Sequence, residues 1–207
     1  MKIFNDLQID VLKEYINVAF GSATASIAEL LDAFATLHTP QITVMDAKNI
    51  DSYISSLSKP SEKKYQAQQV FNGEISGETV FLINEESIVN LSKRFYGDIE
   101  ISEPYIKDSI LELNNILSVT TIGKLSELTA LPSEFLPPTL KVVENDNYIE
   151  KEEIVKYPAV IIISTVLEFE DEKIRGTLFI LSTEAMIISL RDSIDKTIKE
   201  QFPDYGK

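Results

Sequence analysis

Cysteine is absent from the 207 residues, so the chain can form neither a disulfide nor a thiolate metal site, which fits a reducing compartment. Histidine occurs once, at His38 in "TLHTP". Without a second His or any Cys, a transition-metal site would need carboxylates alone, and no carboxylate cluster has a suitable spacing. No metal site of the chain's own is expected, and His38 reads as a loop or helix-end residue near a helix C-terminus. No apolar run approaches the ~20 residues that a bilayer span needs. The start, "MKIFNDLQID", lacks the apolar stretch of a secretory signal. The expectation is a cytoplasmic protein. Basic residues are few, 19 Lys and Arg against 33 Asp and Glu, for a formal charge of −14. Such a surface repels phosphate backbones and anionic membranes, so neither a nucleic-acid partner nor membrane insertion is expected.

What is present is 44% hydrophobic residues, enough for one sizeable core, and an internal repeat. "KDSILELNNILSVTTIGKLSELTALPSEFLPP" in the second half falls on the first half at one offset. Asp10 to Asp108, Glu14 to Glu112, Asn17 to Asn115 and Pro40 to Pro138 are each 98 residues apart, as 108 − 10 = 98 shows for the first. Carried onward, the same offset lays "TVFLIN" at 79–84 on "TLFILS" at 177–182 and pairs Phe81 with Phe179. The sequence thus reads as one domain, 1–207, built from two repeats of about 1–98 and 99–207.

Each repeat parses alike. A long helix comes first, over roughly 6–36 and 103–131. Asn5 with Gln8 forms a capping-box pattern before the first, and Ser102 with Pro104 opens the second. Prolines follow both helices. A short strand comes next, "ITVMD" or "LKVV", then a polar linker, "NIDSYISSLSKPSEKK" or "ENDNYIEKEE". A β-hairpin and a shorter helix close each unit, "EESIVNLSKRFY" and "TEAMIISLRDSIDKTIKEQF". The expected class is α+β: an internally duplicated helix–strand–β-hairpin–helix unit with pseudo-twofold symmetry, its mostly antiparallel sheet covered by helices.

At about 100° per residue, Leu12, Ile16, Ala19, Ala23, Ile27 and Leu30 fall in a stripe ~80° wide, the inward face of the first helix. Asp10, Glu14, Asn17, Gly21 and Ala28 lie opposite. Glu14 and Asn17 are i,i+3 neighbours and can reach one external point. In the second helix Ile110, Leu117, Thr121, Leu125 and Leu128 take the inward slots, while Asp108, Glu112 and Asn115 face out. Asn114 occupies the slot of Ile16 and should be buried and in need of internal hydrogen bonds. Val119 and Ile122 replace Gly21 and Thr24 beside the outward pair, which makes Gly21, Val119 and Ile122 docking candidates. A lone exposed Glu and Asn would ordinarily be solvated decoration. Here the same residue types recur at the same spacing in a second copy whose surroundings have drifted, although Asn is a poor helix former.

The pattern Asp-x3-Glu-x2-Asn-x22-Pro, present twice, resembles the signature of the CheC/CheX/FliY chemotaxis phosphatases, and two copies without an appended domain look most like the CheC form. One departure is Ala19 and Leu117, where the family often carries glycine two residues after the asparagine; both slots face inward. The resemblance implies a CheC-like fold and hydrolysis of the aspartyl phosphate of a CheY-like receiver domain. Asn17 and Asn115 would orient the attacking water, and Glu14 and Glu112 would pair with a lysine of the receiver. Asp10 and Asp108 remain motif positions without a chemical role, and Pro40 and Pro138 are read as setting the exit from each helix. No cofactor of its own is implied, since Mg²⁺ would come with the receiver. The alternative is a binding module for a phosphorylated receiver or a CheD-like deamidase.

Overall fold

A computed structural model describes residues 3–30, 35–37, 41–50, 52–53, 63–97, 99–143, 156–169 and 172–201. His38, Pro40 and most of both polar linkers lie outside the described residues.

Helix α1 runs over Asp6–Leu30. Its start is the capping box that the sequence suggests: the Asn5 N–H donates to Gln8 Oε1 and the Gln8 N–H to Asn5 Oδ1, both at 2.9 Å. The expected extension to residue 36 does not occur, because Ala35–Leu37 forms a strand instead. Leu30, placed inward by the helical wheel, is the last residue of α1 and is 47% exposed. Helix α2, Glu85–Tyr96, is capped by Asn84 Oδ1, which accepts from the Ser87 N–H. It stops at Gly97, whose φ of +76° favours a residue without a Cβ. Helix α3 spans Glu103–Thr129, with Pro104 in its first turn. Helix α4 spans Glu184–Gln201, and Thr183 Oγ1 accepts from the Met186 N–H.

The strands are β1 (Ala35–Leu37), β2 (Gln41–Asp46), β3 (Lys64–Gly73), β4 (Gly77–Asn84), β5 (Ser133–Phe135), β6 (Thr139–Val143), β7 (Ala159–Phe169) and β8 (Glu172–Ser182). They form one eight-stranded sheet in the order β1-β7-β8-β4-β3-β5, with β2 also pairing β7 and β6 also pairing β3. All the pairings are antiparallel. The order reads the same from either end if the halves are exchanged, with the β4–β8 pair at the centre. The class is α+β. Pro138 sits between β5 and β6, well past the end of α3, so it separates two strands and does not set the helix exit.

The repeat is present, but its offset is not constant. Phe71 pairs with Phe135 and Leu167 with Leu37. Since 135 − 37 = 98, the offset for β1 and β5 is that of the long helices, and 167 − 71 = 96 for β3 and β7. Gln69 pairs with Thr79 and Thr165 with Gly176, so β4 and β8 are offset by 176 − 79 = 97. The expected Phe81–Phe179 equivalence therefore fails. Phe81 packs with Tyr65, Phe71 and Leu178 on one face of the sheet, and Phe179 with Val80 and Leu82 on the other. A one-residue slip in a strand reverses every side chain.

Helices α1, α2, α3 and α4 lie on the first face. Leu12, Ile16, Phe20 and Ile27 of α1 and Ile110, Leu113, Leu117 and Leu125 of α3 meet Tyr65, Ile161 and Ile180 of the sheet. The second face buries Val160, Ile162, Phe179 and Leu181 with Ala47 and Ile50 of the segment after β2. The central strands are apolar on both sides, which explains the unbroken runs "VFLI" and "AVIII". Within the sheet the Phe81 ring of β4 lies so close over β8 that a Cβ at Gly176 would stand 2.4 Å from it.

Candidate functional site

α1 and α3 pack side by side against the sheet, and each turns its motif residues outward. Asp10, Glu14 and Asn17 are exposed on α1. Asp108 and Glu112 are exposed on α3, and Asn115 is half-buried at the edge of the same face. The adjacent asparagines divide as the spacing predicts. Asn114 is fully buried, with Oδ1 accepting from Ser118 Oγ at 3.4 Å and Nδ2 unpartnered. Ala19 and Leu117, the departures from the expected glycine, are buried in the core and leave the outward face untouched.

Of the three docking candidates, Val119 is 38% exposed on the outward face of α3. Gly21 is half-buried, and a Cβ there would meet nothing within 4 Å. Ile122 is fully buried and is not a docking residue; Thr24, at the same level of α1, is likewise buried, with its hydroxyl donating to the Phe20 carbonyl. The inward stripe of α3 is wider than a single-faced helix needs, because α1, α2, α4, β3, β5 and β6 surround it.

Residues that carry no motif signal complete the surroundings of the α3 pair. Tyr96, at the end of α2, donates its hydroxyl to Asp108 Oδ2 and leans on Tyr105, with ring centroids 4.7 Å apart. The hydrogen bond to Asp108, reinforced by burial and by the nearby carboxylates, pushes the Tyr96 hydroxyl up to about 12. Leu136 stands 51% exposed just after β5. Gln69 on β3 is 2% exposed, and its Nε2 donates to Asn115 Oδ1 and to the Leu136 carbonyl, each at 3.0 Å. Beside it, Thr79 Oγ1 donates to the Gln69 carbonyl and meets Ser118 Oγ at 2.6 Å. The signal for Gln69 was its place at an inward step of a strand, between Ala67 and Phe71.

The backing of the α1 pair differs. Phe20 and Ile16 stand where α3 has Ser118 and Asn114, 98 residues on. Thr165 and Gly176 take the register positions of Gln69 and Thr79. One helix thus carries a polar ladder behind its asparagine, while the other carries apolar helix residues.

Chemically, each face offers a carboxylate and a neutral amide one turn apart. Asp108 and Glu112 on one exposed face disfavour direct phosphate binding and suit a cationic group. Among the described residues no group of three or more His, Cys, Asp or Glu could hold a metal ion, and no helix is long and apolar enough to cross a membrane.

No protein-family model matches the sequence. Solved structures do match its fold. FliY from Thermotoga maritima superposes with a TM-score of 0.71 at 16% identity, covering 93% of this chain and 98% of that one. The FliM middle domain from H. pylori gives 0.60 at 15% identity, covering 92% and 99%. A CheX–CheY–BeF3–Mg²⁺ complex from Borrelia burgdorferi gives 0.50 at 13% identity, covering 80% and 96%.

Proposed function

From a chain with the fold shared by FliY, the FliM middle domain and CheX, we propose a phosphatase that hydrolyses the aspartyl phosphate of a CheY-like receiver domain in chemotaxis signalling. The observation that carries this reading is the outward Glu–Asn pair, presented twice at matching turns of α1 and α3. A fold that serves only as a scaffold has no use for a neutral amide fixed beside a carboxylate on two helices. The CheX neighbour was crystallised with CheY and beryllofluoride, and that complex supports a receiver as the partner.

In the reaction, a water oxygen attacks phosphorus in line, the bond from phosphorus to the aspartyl carboxylate breaks, and inorganic phosphate leaves. Such transfer asks mainly for positioning and charge stabilisation. Glu14 or Glu112 would take the receiver's lysine ammonium and fix the docking register. Asn17 or Asn115 would then hold the water and the phosphoryl oxygens by its amide. The Mg²⁺ that neutralises the phosphoryl group belongs to the receiver. Val119, Tyr105 and Leu136 are exposed apolar side chains suited to the interface.

A second reading is a docking module that holds a phosphorylated receiver or a CheD-like deamidase without hydrolysis; likeness to a FliM solved in complex with FliG supports a docking role. The decay of a phosphorylated CheY-type receiver with Mg²⁺ separates the two. Wild type should accelerate it, the Asn17→Ala/Asn115→Ala double variant should not, and Glu14→Lys/Glu112→Lys should raise KM more than it lowers kcat. Acceleration that survives loss of both asparagines would remove the phosphatase reading.

A further inference from the structure

We propose that Gln69 is a positioning residue that sets which end of the Asn115 amide faces the partner, an inference that rests on the phosphatase reading above. The chemistry of the contacts fixes the orientation. A main-chain carbonyl only accepts, so the Gln69 atom facing the Leu136 carbonyl at 3.0 Å is the amide nitrogen. That nitrogen has two protons. One goes to Leu136, and the other meets Asn115 at 3.0 Å, so the Asn115 atom there is the oxygen, Oδ1. Nδ2 is thereby left as the donor that the half-buried Asn115 presents to the outside. An asparagine amide without such a clamp rotates over a broad, roughly two-fold well.

The arrangement runs against stability. Gln69 is 2% exposed on the face of β3 that carries Ala67 and Phe71 into the core, and among the described residues its Oε1 has no hydrogen-bond partner. An unpaired buried acceptor costs stability, which a methionine or leucine at this position would avoid. Each neighbouring group points the same way. Thr79 ties down the Gln69 carbonyl, and Ser118 supports Thr79 from α3 itself. At the other helix the register position of Gln69 holds Thr165, a residue type without an amide, and Asn17 has no hydrogen-bond partner among the described residues. The two asparagines therefore differ in their backing: Asn115 is pre-oriented as a donor by a side-chain amide, and the register position behind Asn17 offers no such amide.

The test uses the full chain with Asn17→Ala, so that only the α3 pair acts, on a phosphorylated CheY-type receiver whose decay the wild type accelerates. Adding Gln69→Met should lower kcat about tenfold or more, while KM for the receiver stays within about twofold and thermal stability does not fall. In ¹H–¹⁵N spectra of the chain alone, the two Gln69 side-chain amide protons should exchange slowly, and the Asn115 pair should broaden or shift in Gln69→Met. Undiminished kcat in Gln69→Met, alongside loss of activity in Asn115→Ala, would overturn the positioning role and leave the phosphatase reading standing. Full acceleration in Asn17→Ala/Asn115→Ala would overturn that reading and this inference with it.

Discussion

Tyr96 and Asp108 join α2 to α3 through a hydrogen bond from the phenol to the carboxylate, one turn before Glu112 on the exposed face. Through this bond the motif aspartate of the second repeat holds an aromatic ring at the margin of the candidate site. Glu112 also bears on Tyr96, in the direction that keeps the phenol protonated.

A pH prediction follows with a definite sign. The Tyr96 proton is retained in the folded state to about 12 against an ordinary value of 10.0, chiefly through Asp108. The contribution is thus fully present below pH 10.0 and is lost as pH rises through about 12. Asp108→Asn should move the titration of one tyrosine back toward the ordinary range, read as phenolate absorbance in the ultraviolet. A titration curve unchanged by Asp108→Asn would mean that the hydrogen bond does not form in solution.

Asn114 offers a stability prediction. It is fully buried, and among the described residues its Nδ2 has no partner and its side chain makes one hydrogen bond, long at 3.4 Å. Asn114→Leu keeps the approximate shape, removes an unsatisfied donor, and leaves Ser118 its contact with Thr79. It should stabilise by about 1 kcal/mol, seen as a higher urea midpoint with an unchanged slope. A lower midpoint would show that the polar ladder behind Asn115 is worth more than the unpaired group costs.

The end of α3 offers another. Ala130 adopts φ +57°, the left-handed conformation that L-residues avoid. The N–H groups of Ala130 and Leu131 donate to Glu127 and Ser126, the paired bonds of a Schellman cap. Glycine suits that position, so Ala130→Gly should stabilise by about 1 kcal/mol, or roughly 2–4 °C in Tm for a chain of this size. Calorimetry showing a fall in Tm would indicate that the backbone entropy of glycine outweighs the relieved strain.

Much of this is legible in the sequence. The capping box at Asn5 and Gln8 follows from their spacing at the helix start, and the outward pairs on both helices and the division between Asn114 and Asn115 follow from helical periodicity. So does the shorter helix Glu85–Tyr96, which matches its expected span. The failures have physical causes. Phe81 and Phe179 stand in similar short strings, yet the loops before them differ in length, and a single residue exchanges the faces of a strand. β1 and β5 are three residues each, too short to show alternation, and exist because β7 and β3 provide pairing edges. Ile122 is buried because α3 has neighbours on more than one side, which no single-helix pattern reveals. Gln69 is only partly legible for a similar reason: its inward step on β3 can be read from the alternation, but nothing there shows that its partner lies 46 residues away on another helix.

β3, from the first half, pairs with β5 and β6 of the second and places Gln69 behind Asn115, while β7 of the second half pairs with β1 and β2 of the first. Each copy thus borrows its neighbour's strand. Severed at the midpoint, neither fragment would retain a finished sheet edge or, for Asn115, the group that aims it. Inheritance is bound by the same interlock. A substitution accepted in one copy is judged at the surface of the other, so the two cannot drift apart as independent modules; they can diverge only as a matched set.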